Sequence, residues 1–364
     1  MKKLLLILIP IVLVSMLSAV SFDISGNHRV RAAMYNDAAE NAGGHIDNRL
    51  QIGFDSQFHK NLAFRVALEI GDIVWGNGGG GISTNGVNIE TSELYLDYMI
   101  NAIDAKVRFG QQYYADNMGL ILDDFVSGLF ITKEDWMGMD TEFAWIKGWE
   151  GALNNDDDYN VFMAHANFKD KLPMGIYAMY GAWGGADTGN FTLMPYYKLE
   201  MDPLTIDVNV FLDYQMNPDP TDDEIGLGAA AKVKADLGML EVGGDLLLAM
   251  ENGLTTISPW YQNGLYIYGI GKHHDGANLY WNTPYEGNAD MFVSAVGHVR
   301  YPFKEDMTMF AAAGYLVDTG LELNAGIEYE IIPDLLMLSG YGAFGMHDNE
   351  TTNYLLGTTV KVEF

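Results

Sequence analysis

The residues best equipped for chemistry are six arginines, Arg29, Arg31, Arg49, Arg65, Arg108 and Arg300, the whole arginine complement of the chain. A guanidinium stays charged and presents its donors in a planar fork suited to carboxylates and phosphates. Each arginine falls in a stretch of alternating apolar and polar residues, on the polar side, and Lys106 shares that side with Arg108. Carboxylates hold the matching positions elsewhere: Glu93, Asp97, Asp207, Asp213, Asp245, Glu322, Glu328 and Glu330, with Asp123 and Asp124 on a loop expected to fold inward. Cations stacked on one wall and carboxylates on others would set up a transverse field, and rows of charge are how pores select ions. The plainer reading is that the arginines neutralise neighbouring carboxylates and tie the wall together.

No catalytic signature competes with these charges. The chain has no G-x-S-x-G, no P-loop and no H-E-x-x-H, so no enzyme is expected. Asp156-Asp157-Asp158 and Asp222-Asp223-Glu224 lack EF-hand spacing and read as solvated loop tips. His273-His274 with Asp275 offers at most a weak metal site, because adjacent side chains point apart and no further ligand is evident. No metal or other cofactor is expected. The absence of cysteine excludes a disulfide scaffold, a Cys-type zinc or iron–sulfur site and a lipid anchor on cysteine.

The elements that must carry the charges are strands. In Leu62-Ala63-Phe64-Arg65-Val66-Ala67-Leu68-Glu69-Ile70 every second residue is large and apolar. Leu204 to Tyr214 and Leu321 to Ile331 alternate in the same way. Successive side chains of a strand point to opposite faces, so each segment has one apolar and one polar face. The apolar faces run about 10 residues, the length a tilted strand needs to cross a bilayer. Charges recurring mid-strand on the other face suit a wet interior.

Connections alternate as well. Short turns at His59-Lys60-Asn61, Asn101-Ala102, Met201-Asp202-Pro203, Ala235 to Gly238, Pro302 to Glu305 and Ile332-Pro333-Asp334 are separated by longer polar loops. Those loops include 75–87, 217–223 and 251–288. Short turns at one end and long loops at the other are the outer-membrane pattern. The expected fold is all-β: a single transmembrane antiparallel barrel over 22–364, with about 18 strands, 16 remaining open. Val126–Lys133, Thr141–Trp149, Asp158–Phe168 and Met174–Trp183 alternate least cleanly, and Pro195 removes a ladder donor from another proposed strand.

Before the barrel, Lys2 and Lys3, the apolar run Leu4 to Leu17 and the small residues Ala19 and Ser21 make residues 1–21 a secretory signal peptide. Its removal takes the net charge from −29 to −31, since Lys2 and Lys3 are two of 20 basic residues set against 49 acidic ones. Such a charge repels nucleic acid, whose binding needs basic patches. No later stretch is long and apolar enough for a membrane helix.

The final strand is the cleanest. Tyr354, Leu356, Thr358, Val360, Val362 and Phe364 form one face, against Leu355, Gly357, Thr359, Lys361 and Glu363. A chain ending on a strand with a terminal Phe resembles Gram-negative outer-membrane porins. In that family the last strand is read by the barrel-assembly machinery, which assigns that role to Tyr354, Val360, Val362 and Phe364. Glu93-Leu94-Tyr95-Leu96-Asp97-Tyr98, then Val107 to Gln112, then Gly119 to Leu129 resemble, loosely, the 18-stranded alginate-export-type porins.

The resemblance implies an outer-membrane location, contact with lipid and lipopolysaccharide, and passive diffusion of small polar or charged solutes. Monomer and homotrimer both remain open. Rival readings are a channel preferring acidic sugars or organic anions, a non-conducting structural or adhesive barrel, and a soluble exported β-sandwich or solenoid. The long loop carries Trp260, Tyr261, Tyr266, Tyr268, Tyr280, Trp281 and Tyr285, suited to stacking on sugars or, more ordinarily, to an interfacial aromatic girdle.

Overall fold

A computed structural model describes residues 21–36, 42–77, 88–150, 158–168, 172–184, 188–217, 223–269, 291–348 and 351–364. Most of the signal-peptide reading, and His273, His274, Asp275, Tyr280, Trp281 and Tyr285, lie outside them. The alternating segments form 18 strands: β1 (Ser21–Asn36), β2 (Ala42–His59), β3 (Leu62–Val74), β4 (Ile89–Ile100), β5 (Ala105–Ala115), β6 (Asp123–Trp136), β7 (Met139–Trp149), β8 (Tyr159–Asn167) and β9 (Met174–Trp183). The second half comprises β10 (Gly189–Met201), β11 (Leu204–Met216), β12 (Glu224–Asp236), β13 (Glu241–Ala249), β14 (Phe292–Lys304), β15 (Met307–Leu316), β16 (Gly320–Ile332), β17 (Leu336–His347) and β18 (Thr352–Glu363).

Every strand pairs antiparallel with its sequence neighbours, and β1 pairs with β18 through Arg29↔Lys361 and Arg31↔Thr359. The sheet therefore closes and leaves no edge, which a bilayer requires because lipid cannot satisfy free backbone groups. Gly26 N–H donates to the Phe364 carbonyl at 2.8 Å, and Phe364 N–H returns to Gly26 O at 3.0 Å, so the chain terminus seals the seam. The count is 18, and the four segments of weak alternation are β6 to β9. Pro195 fits because it is placed where the ladder to β11 is interrupted. Leu193 pairs with Leu212 and Tyr196 with Asn209, while Pro195 keeps register with Ile176 on the β9 side.

One face of the sheet is an apolar exterior. Phe109, Ile131, Phe143, Phe162, Val210, Leu246, Leu323 and Leu356 are all exposed there. Aromatic residues flank the band, with Tyr98, Trp136, Tyr197 and Tyr301 toward the short turns and Trp149, Trp183, Tyr214 and Tyr315 toward the loops. An apolar belt bounded by aromatics, around a closed barrel, is the architecture of an outer-membrane protein. No helix among the described residues is long and apolar enough to cross a membrane.

Candidate functional site

Among the described residues, two connections at the long-loop end turn inward and shape the lumen. The first belongs to the β5–β6 hairpin. Past Gln111, β5 no longer pairs with β4, and before Ser127, β6 no longer pairs with β7, so the tip of the hairpin pairs with no neighbouring wall strand. It leaves the wall at Gly110, whose φ of 128° suits glycine and whose Cβ would stand 2.2 Å from the Leu94 carbonyl. One face of the tip, with the buried Gln112 and Val126 and the largely covered Tyr114, packs toward β7–β9; Tyr114 donates its hydroxyl to Met163 Sδ at 3.2 Å. Tyr113, Asp123 and Phe125 line a cavity on the other side.

The turn itself is organised by Asp116. Its Oδ1 accepts from Met118 and Leu120 N–H at 3.1 Å, and its Oδ2 from Ile121 and Leu122 N–H at 2.7 and 2.9 Å. Burial pushes this carboxyl above the ordinary range, while the four N–H groups pull the other way. Leu120, Ile121 and Leu122 are thereby driven into the interior, 0 to 2% exposed.

The second inward segment is 250–269, between β13 and β14, which crosses the lumen as a strap. Thr255 donates both N–H and Oγ1 to Asp213 Oδ2, at 3.0 and 2.5 Å. Tyr261 donates to Asp245 at 2.7 Å, and Lys232 Nζ to the Gln262 carbonyl at 2.6 Å. The N–H groups of Tyr266, Ile267 and Tyr268 converge on the Glu322 carboxylate at 2.7, 2.9 and 2.8 Å. The two inward segments also bind each other. Ile257 N–H donates to Ile121 O and Trp260 N–H to Gly119 O, both at 2.9 Å, and Ser258 Oγ donates to Asp124 at 2.6 Å.

This corrects part of the sequence reading. Asp213 and Glu322 do not line water: both are 0% exposed and hold the strap to the wall. Asp245, 6% exposed, holds it too, beside Lys232. Tyr261, Tyr266 and Tyr268 belong neither to a girdle nor to an outer lid, being buried inside the barrel because three wall carboxylates satisfy the strap's polar groups there. Asp116, the residue that shapes the other segment, had no signal beyond a lone carboxylate ahead of Gly119.

The arginines share the inner face. Arg31 pairs with Asp47 through Nε at 3.0 Å and Nη2 at 2.8 Å. Arg29 lies 2.9 Å from Asp72 and 3.7 Å from Asp47, and His45 reaches Asp47 at 2.9 Å. Arg49 approaches Glu69 at 3.6 Å. Arg65 bridges Asp55 and Glu93 at 2.5 Å each. Arg108 grips Asp97 with both ends of its fork, at 2.6 and 2.7 Å, and lies 3.9 Å over the Tyr95 ring. Arg300, across the barrel, pairs with Glu328 at 2.5 Å. Lys106 lines a separate cavity with Glu142 and His165. The basic strip on β1, β2, β3 and β5 is thus interleaved with carboxylates. Sequence reading passed over Asp47, Asp55 and Asp72, though Asp47 and Asp55 alternate with Arg49 in one strand.

Between that strip and the inward segments lies a cavity of about 560 Å³, with Arg29, Arg31 and Arg49 on one side and Asp123, Asp124 and Trp260 on the other. A second, of about 500 Å³, lies nearer the short turns against β11–β17, and Gln262 borders both. Asp207 borders this second space and accepts from Asn117 at 2.7 Å. Glu330 stands at the short-turn end beside Lys361. Tyr354, Val360 and Phe364 are exposed on the outer face, and Val362 is half-buried.

Geometry of this kind defines the class, an 18-stranded outer-membrane barrel whose lumen is narrowed by its own loops. No family model matches the sequence, and no curated protein matches it. Solved structures do. OpdK of Pseudomonas aeruginosa with vanillate superposes with a TM-score of 0.62 at 11% identity, over 94% of this chain and 98% of that one. OccK2 (OpdF) of the same organism, in complex with glucuronate, gives 0.63 at 9% identity, again over 94% and 98%. Acinetobacter baumannii OccAB1 gives 0.59 at 10% identity, over 94% and 97%. The shared property at these identities is the barrel fold. The resemblance to alginate-export-type porins is correspondingly loose, and the porin barrel is what holds.

Proposed function

We propose that this protein is a non-enzymatic outer-membrane channel through which small polar or charged solutes diffuse passively. The observation that carries this reading is the 560 Å³ cavity between Arg29, Arg31 and Arg49 and the Asp123–Asp124–Trp260 edge. It carries Arg29, Arg31 and Arg49 with their partners Glu69 and Asp72 on one side and Asp123 and Asp124 on the other, and rows of charge are how pores discriminate ions. Ion transport follows from the same passage. Residues 1–21 serve as the export signal and 22–364 as the barrel. Tyr354, Val360, Val362 and Phe364 serve as the surface read during assembly, and lipid and lipopolysaccharide cover the belt.

The test is conductance of purified, refolded protein in a planar bilayer, with reversal potential under a salt gradient. Discrete steps with a definable ion preference are expected, and replacing Arg31, Arg65 and Arg108 with Ala shifts that preference toward cations. Unchanged selectivity in that variant abandons the transverse field and leaves the arginines as wall ties. A folded barrel that passes no current abandons the channel in favour of a structural or adhesive surface role. A second reading, preference for acidic solutes, is supported by the guanidinium strip together with the vanillate and glucuronate found on barrels of the same fold. Competition of either acid with chloride current tests it.

A further inference from the structure

The 500 Å³ cavity on the short-turn side of the strap has a different chemistry from the arginine passage. Its volume falls within the range of small-molecule sites, about 300–1,000 Å³. Its charges are matched in pairs except for Asp207, which accepts from the Asn117 amide. Lys232 stands 3.6 Å from Asp245, Lys234 pairs with Glu241 at 2.5 Å, and Arg300 pairs with Glu328 at 2.5 Å. A net ion of either sign therefore meets no uncompensated partner in these pairs. Two polar atoms of lining residues are left over. Asn324 Oδ1 and Ser339 Oγ, on residues 5% and 3% exposed, have no hydrogen-bond partner among the described residues. Buried polar groups are normally satisfied, so each marks a place where something else should bind. Phe310 and Tyr266 supply rings to the same space, with their planes 20° apart.

Compensated ion pairs that offer donors and acceptors side by side, orphaned amide and hydroxyl oxygens, and an aromatic boundary suit one solute chemistry. That chemistry is a neutral ring carrying several hydroxyls, with apolar C–H faces for the rings and adjacent hydroxyls for the ion pairs. We infer that the cavity under the strap, built from Lys232, Arg300, Phe310, Asn324, Glu328 and Ser339, is a binding station for a neutral cyclic polyol such as a sugar. It is separate from the arginine passage and requires only that solute reach the lumen. Ordered water is the rival occupant of the two orphaned atoms.

Saturation-transfer NMR with maltose, on the full refolded barrel in a detergent without a sugar headgroup, separates the two. Saturable transfer with a millimolar midpoint is expected. Ser339→Ala and Phe310→Leu should each weaken it at least fivefold, and heat-modifiable gel mobility shows that both variants remain folded. Transfer that never saturates, or variants that saturate like the parent, overturns the sugar station and leaves water as the occupant. The readout needs no current, so its failure is distinct from failure of the channel reading, which appears as a folded barrel without conductance.

Discussion

The inner walls of β1–β5 and of β7–β11 share the same strand geometry, with side chains directed in and out by turns, and finish in opposite states. Along β1–β5 the inward residues include Arg29, Arg31, Asp47, Arg49, Glu69, Arg65, Glu93, Asp97 and Arg108, paired across neighbouring strands. Along β7–β11 the inward residues include Ile146, Val161, Met163, Tyr177, Met179, Met194 and Phe211, all buried in one cluster with Leu120, Ile121 and Leu122. What faces each wall decides the difference. The first wall looks onto the 560 Å³ cavity and carries charge that is internally compensated. The second is covered by the protein's own inward segment and is a hydrophobic core in the ordinary sense, driven by removal of apolar surface from water. The 560 Å³ cavity is thereby displaced toward the N-terminal strands.

The comparison breaks most visibly if the covering segment is released. Asp116→Ala removes the acceptor of four N–H groups inside the barrel. An unmet buried donor costs about 1–3 kcal/mol, so the turn should not stay docked. Single-channel conductance should at least double and become noisy, as the space over β7–β11 floods. Conductance equal to the parent's would mean that apolar packing alone holds the segment.

A smaller effect is expected on the charged wall. Asp47 is 1% exposed and serves Arg29, Arg31 and His45 together. Removing one partner of a buried pair costs roughly 3–5 kcal/mol, because the other charge is left behind. Asp47→Ala should lower the denaturant midpoint and move the reversal potential toward anions. A midpoint shift with no change in potential would place these residues outside the conducting path.

Sequence periodicity carried most of the fold, and the two walls explain what it missed. Where one strand face meets lipid and the other water, as in Leu321 to Ile331, alternation is sharp and the strand is plain to see. In β8 and β9 both faces are apolar, Phe162 and Tyr180 outward and Met163 and Met179 inward, so the period-two signal fades. The arginines could be placed on one face from alternation alone. Their pairing with Asp47, Asp55 and Asp72 depends on strand register, which bulges shift at Asn48/Leu50 and Ala67/Leu68. Glu322 and Asp213 looked like lumenal charges because the sequence shows the face a residue occupies and not what later covers it. The strap lies 55 residues before Glu322 in the chain, a separation no local pattern spans.

The smallest effect tests whether the second wall is core or wet surface. Met179 is 3% exposed and packs in the cluster with Met163 and Tyr177. Exchange of Met for Leu conserves volume and in a packed interior usually costs less than about 1.5 kcal/mol. Met179→Leu should therefore shift the unfolding midpoint slightly, with conductance and reversal potential unchanged. Met179→Gln, of similar size, sharpens the contrast: in a core it strands an amide and destabilises clearly more than Leu does. On a wet wall the order reverses, since Gln would be solvated and Leu would gain nothing. Equal stability of the Gln variant and the parent would return β9 to the lumen and make the barrel symmetric after all.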